Sequence, residues 1–117
     1  MPLMFESLEV YKKAMAFVVA IFDTCVGIPD RGIKDQLKRA ALSIQLNIAE
    51  GNGRAHAKEK RQFFRTARGS LLECVPILQL IHQMKLIENG KYGDLYTKAE
   101  EIGKMLSGLI KSVENRK

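Results

Sequence analysis

The stretch Asn47-Ile48-Ala49-Glu50-Gly51-Asn52-Gly53-Arg54 decides the fold. It closes an apolar helical repeat, carries two glycines one residue apart, and opens a run in which Arg54, Lys58, Arg61, Arg65 and Arg68 recur at spacings of 4, 3, 4 and 3. Such spacing holds side chains on one face of a helix. The stretch therefore reads as a helix end, a tight turn and a second helix with a basic stripe. Gly51 is expected to take the left-handed conformation just past the helix end, where the missing Cβ removes the steric penalty, with Gly53 completing the turn. A phosphate-cradling loop needs a strand before it, and here a helix precedes it.

Upstream of the turn, Ile33, Leu37, Ala40, Ile44 and Ile48 share one face, predicting a helix over about 33–50 with Lys34, Lys38, Arg39 and Gln45 on its polar side. Ala40, Ala41 and Ala49 are small enough to let a partner helix approach closely. Before it, Leu8, Tyr11, Met15, Val18, Phe22 and Cys25 are spaced 3, 4, 3, 4 and 3 apart, a bundle seam that predicts a helix over about 7–26. Ser7 is its expected N-cap, and Gly27 with Pro29 ends it. Phe17, Val19, Ala20 and Ile21 make much of its circumference apolar, which predicts a second neighbour, within the fold or in another subunit.

Downstream, Phe63 and Phe64, Ala67, Leu71, Cys74, Leu78 and Ile81 trace a helix over about 55–85. Pro76 cannot donate to the Leu72 carbonyl, so a kink is expected there, but the apolar pattern continues past it. Glu88-Asn89-Gly90-Lys91 is a turn signal. Tyr92, Leu95, Ala99, Ile102, Leu106, Leu109 and Val113 then give a fourth helix over about 91–114, in which Gly103 and Gly108 point to close packing. The expected architecture is all-α: one domain, residues 1–117, folded as an up-down-up-down antiparallel four-helix bundle.

Charge carries the functional signal. The net charge is +6, and residues 31–68 hold 10 of the 19 basic side chains against Asp35, Glu50 and Glu59. On a helical wheel Arg54, Lys58, Arg61, Arg65 and Arg68 fall within roughly an 80° arc, away from the apolar face. A solvated face usually mixes signs, whereas this stripe contains no acid. Arginine outnumbers lysine four to one on it, which suits bidentate contacts to phosphate or carboxylate. The expected partner is nucleic acid, bound mainly through phosphates and with little sequence specificity, with Lys34, Lys38 and Arg39 assisting. Phe63 and Phe64 read as core residues rather than stacking platforms.

Other chemistry is thin. Asn47, Glu50, Ser70 and Glu73 lie on or next to packing faces, where hydrogen bonds between the second and third helices would satisfy them. The paired Glu-x-x-His signature of di-iron bundles is missing. Cys25 and Cys74 fall on apolar stripes and read as buried reduced thiols, and His56 and His82 as solvated or packing residues. No metal, no cofactor and no enzymatic activity are expected. Glu6 and Glu9 sit where a signal peptide would need basic and apolar residues, and the longest apolar run, Ala14 to Phe22, has 9 residues. A soluble, cytoplasmic protein without a membrane partner is the expectation.

Ser43-Ile44, then Asn47-Ile48-Ala49-Glu50-Gly51-x-Gly53-Arg54, with Phe5-x-x-Leu8-x-Val10-x-x-x-Ala14 upstream and Ala67-x-Gly69-Ser70-x-x-Glu73 downstream, closely resembles the four-helix-bundle proteins encoded in 23S rRNA intervening sequences. Gln45-Leu46, Tyr11 and Pro76 depart from that pattern. The resemblance implies a homopentamer of antiparallel bundles with a basic surface, a nucleic-acid-binding role and no catalysis. It also brings in a relative, the accessory variability protein of diversity-generating retroelements, which pairs with a reverse transcriptase. Two further readings stay open: a protein-interaction adaptor whose arginines meet an acidic protein surface, and a stripe enclosed within an oligomer interface.

Overall fold

The computed structural model describes residues 2–114, with side chains from Ser7 onward. Four helices follow one another: α1 (Pro2–Cys25), α2 (Arg31–Asn52), α3 (Ala57–Gln83) and α4 (Asn89–Glu114). α1 packs on α2, α2 on α3, α3 on α4, and α4 back on α1, while among the described residues the diagonal helices stand apart across the shared core, so the helices stand at the corners of a square. Tyr11 meets Gln45 and Ser7 meets Asn52, Ser43 meets Ser70 and Gly51 meets Phe64, Arg65 meets Glu114 and Arg68 meets Ser107, and Lys13 meets Glu101 and Asp23 meets Lys91, so each adjacent pair runs antiparallel. This is the expected antiparallel four-helix bundle.

The inward faces of three helices are those that their spacing predicts, except that Phe63 of α3 is half-buried and stands outside the core. Leu37, Ala40, Ile44 and Ile48 of α2, Phe64, Ala67, Leu71, Cys74, Leu78 and Ile81 of α3, and Leu95, Ala99, Ile102, Leu106, Leu109 and Val113 of α4 are all buried. α3 runs unbroken through Pro76. Burial raises the Cys74 thiol to about 12, helped by the nearby Glu73 carboxylate, and raises the Cys25 thiol against the pull of Lys38 and Lys34.

α1 faces the core with a different stripe from the one expected. Val10, Ala14, Phe17, Val18, Ile21 and Cys25 are buried, whereas Leu8, Met15 and Phe22 are exposed and Tyr11 is half-buried. Two seams with helical spacing coexist on this helix, and packing selected the one holding Phe17 and Ile21. Nor is Ser7 an N-cap: it lies buried inside α1.

The helix ends also differ. Asp30 caps α2, its Oδ1 accepting from the Ile33 N–H at 2.9 Å, so the helix starts at Arg31. α2 runs through Gly51, and its C-cap is Gly53 at φ −86°; no described glycine has a positive φ. Gly51 is required for another reason: a Cβ there would lie 2.5 Å from Cε1 of Phe64. The glycine makes room for the Phe64 ring of α3 against α2 and is not where the chain reverses. α3 begins at Ala57, which leaves Arg54 in the connection. Asn89 and Gly90 belong to α4, and the preceding reversal is made by Lys85 at φ 62°, with Leu86 N–H donating to the Ile81 carbonyl at 2.9 Å.

Candidate nucleic-acid interface

The stripe on α3 is brought against α4. Arg65 Nη2 donates to Glu114 Oε1 at 2.6 Å, and Arg68 Nη1 donates to Ser107 Oγ at 3.3 Å. Arg61 and Lys58 lie on the same side and have no partner among the described residues. Arg54 stands apart: its guanidinium bonds Glu50 at 2.8 Å and lies 4.9 Å from the centre of the half-buried Phe63 ring. The stripe is thus acid-free along α3 alone. Tertiary structure supplies Glu114 and the preceding helix supplies Glu50, so two of its five cations are paired. Both pairs are well exposed, where such bridges contribute little stability and exchange readily for other anions.

Two cations absent from the sequence reading join this face. Lys104 and Lys111 are exposed and flank Ser107 on α4, three residues before it and four after, beside the side chain that Arg68 contacts. Their signal was a seven-residue spacing on the outer side of α4, diluted by Glu100 and Glu101 nearby. Further along the same groove, His82 stacks on Tyr92 with ring centres 4.0 Å apart and planes 2° from parallel, and Tyr96 tilts against Tyr92 at 5.9 Å. His82 also pairs with Asn89 Oδ1 at 2.8 Å.

Lys34, Lys38 and Arg39 do not join this surface. Lys38 Nζ lies 5.2 Å from the centre of the Phe22 ring of α1, which places it in the α1/α2 groove, opposite the α3/α4 groove of the square. Lys34 shares that side of α2, and Arg39 points outward. The α1/α2 side is otherwise largely apolar, with Leu8, Met15, Val19 and Phe22 of α1 exposed, Val26 just past its end 85% exposed, and Leu42 and Leu46 of α2 exposed as well.

The motif residues have structural positions. Ser43 and Ser70 share a hydrogen bond at 2.7 Å across α2 and α3, and Asn47 donates to the Ser43 carbonyl at 2.8 Å. Glu50 holds Arg54 rather than bridging the helices, Glu73 is exposed without a described partner, and Gly69 has nothing within 4 Å of the place its Cβ would take. Among the described residues no cluster of His, Cys, Asp and Glu could hold a metal ion, and no helix is long and apolar enough to cross a membrane.

Comparison with known proteins agrees with this architecture. A solved structure from the S23 ribosomal protein family of Bacteroides thetaiotaomicron, described as a protein with unknown function, superposes with a TM-score of 0.84 at 22% identity, covering 91% of this chain and 98% of that one. No curated protein matches the sequence. The family model for the 23S rRNA-intervening sequence protein matches residues 6–108. The chain belongs to the 23S rRNA-intervening sequence protein family.

Proposed function

We propose that this protein is a non-catalytic, self-associating bundle that binds nucleic acid through the basic α3/α4 face, structured RNA being the first candidate given the family's tie to 23S rRNA. One observation carries the reading: Lys58, Arg61, Lys104 and Lys111 stand exposed or half-exposed on one side of the bundle, without acidic partners among the described residues, with Arg65 and Arg68 between them. Phosphate oxygens would take over the exposed Arg65–Glu114 contact and meet free cations on either side of it. The apolar α1/α2 side, opposite, supports self-association, and five copies is the number that the family resemblance implies. In such a ring the basic sides of several protomers would act together on one polyanion.

The test is binding of a structured RNA at several salt concentrations, for the wild type and for Arg61→Glu with Arg68→Glu. Affinity should fall steeply with salt and drop further in the variant while helicity is kept; salt-independent binding would overturn the reading.

The Arg65–Glu114 pair favours a second reading, since it already displays a carboxylate on this face. By that reading the protein is an adaptor for an acidic protein surface, such as that of a retroelement reverse transcriptase. Nuclease treatment before a pull-down separates the two: partners retained after it support the adaptor, and partners lost with it support nucleic acid.

A further inference from the structure

The α3/α4 groove carries two kinds of group along one line. Towards one end lie Arg61, Arg65 and Arg68 with Lys104 and Lys111; towards the other, the rings of Tyr96, Tyr92 and His82. From Lys111 to Tyr96 the line runs about 22 Å at ~1.5 Å per residue. Glu100, exposed between Lys104 and Tyr96, interrupts the positive charge, so phosphate contacts belong to the first end and ring contacts to the second.

The His82–Tyr92 stack joins the end of α3 to the start of α4, and Tyr92 packs against the core, so a structural role accounts for both. Tyr96 is different. It is half-exposed and is not among the apolar side chains packed on the core. Its ring contact is the 46° tilt against Tyr92, and its hydroxyl has no described hydrogen-bond partner. A half-exposed aromatic in line with arginines is what a sequence-tolerant single-strand site requires: cations for the backbone and a ring for a base. Duplex offers no free base face to such a ring.

The geometry points to a track for single-stranded nucleic acid along the α3/α4 groove, with backbone phosphates on Arg61, Arg68, Lys104 and Lys111 and a base stacked on Tyr96. The inference rests on the nucleic-acid reading above and specifies its ligand as unpaired, so that in a structured RNA the strand would be a loop or an end. The length of the track suits about four nucleotides, the short end of known single-strand sites.

The experiment uses the full chain, a labelled unstructured RNA of 12 nucleotides and a labelled RNA duplex of equal length, with affinity read by fluorescence anisotropy. Tyr96→Ala should weaken binding of the single strand by about 5- to 150-fold, the range for loss of one base–aromatic stack, and leave the duplex unchanged. Tyr96→Phe keeps the ring and should bind like the wild type, which guards against a folding defect in the alanine variant. Because the chain has no tryptophan and Tyr11 lies in the α1/α2 groove, quenching of tyrosine emission by the single strand reports on Tyr96 and its neighbour Tyr92, and its reduction in Tyr96→Ala gives a second readout. Salt-sensitive binding of the single strand that Tyr96→Ala does not weaken overturns the track and spares the electrostatic reading. Failure of the wild type to bind either probe at low salt overturns both.

Discussion

Replacing Gly51 by alanine tests whether the glycine serves the contact between α2 and α3 or merely the end of α2. The added Cβ would meet three atoms of the Phe64 ring, at 2.5, 2.9 and 3.1 Å, against the ~3.5–4.0 Å of an ordinary carbon contact. The ring would have to move by about 1 Å, and Phe64 is 1% exposed in a close-packed core. Overpacking of this kind costs about 1–3 kcal/mol. Against it stands the helical preference for alanine over glycine, about 1 kcal/mol in mid-helix and less near a helix end such as this one. The net expectation is a loss of about 0.5–2.5 kcal/mol. Gly69→Ala is the control: it lies inside α3 with nothing within 4 Å of its would-be Cβ, so the same substitution should stabilise by about 0.5–1 kcal/mol. At roughly 4 °C per kcal/mol for a domain of this size, the two variants should differ in Tm by roughly 4–14 °C, with the wild type between them. Thermal melts followed by circular dichroism at matched protein concentration measure this, since self-association would shift Tm. Adding Phe64→Leu to Gly51→Ala should cost less than the single changes sum to. A Gly51→Ala variant stabilised as much as Gly69→Ala would refute the reasoning.

Glu114→Gln should release Arg65, strengthening RNA binding by about two- to fivefold while changing stability by less than about 1 kcal/mol, as measured by anisotropy and urea titration. The Cys74 thiol is raised in the folded state from 9.0 to about 12, so the unfolded chain ionises first; its contribution to stability is complete below pH 9 and is lost as pH rises towards about 12. Urea unfolding between pH 8 and 10.5 should therefore show a steeper decline for the wild type than for Cys74→Ala. Val19→Glu places a charge on the exposed apolar side of α1, where the wild-type residue is 65% exposed, and should reduce the molar mass seen by light scattering while leaving helicity intact.

The inward faces of α2, α3 and α4 are legible in the sequence because each carries one apolar stripe and a contrasting polar side. α1 does not have that contrast. Its two apolar seams satisfy the same periodicity, and only the shape of the space between α2 and α4 distinguishes Phe17 and Ile21 from Met15 and Phe22. Gly51 illustrates a different limit. Sequence reveals that a glycine stands near a helix end, but its reason lies in the ring of Phe64, 13 residues further along and on another helix. For the candidate site, the stripe of α3 is visible because helical spacing is local. Glu114, Ser107, Lys104 and Lys111 are not, since they reach the stripe only through the antiparallel pairing of α3 and α4. That pairing turned a line of arginines into a two-helix surface, and the square arrangement separated it from Lys34 and Lys38.

The square arrangement has a kinetic consequence as well. Three of its four helix–helix contacts join elements adjacent in the chain, and only α1 against α4 closes over a long distance in sequence. A topology so rich in local contacts has a low loop-closure cost and belongs among the fast folders, in the microsecond to millisecond range. α2 and α3 have the most extensive mutual contact, so the hairpin held by Gly51 against Phe64 and by Ser43 against Ser70 is the natural nucleus, onto which α1 and α4 condense from either side. The residues that most define this chain's sequence signature would then govern how quickly it folds, while the basic groove is completed only when α4 docks.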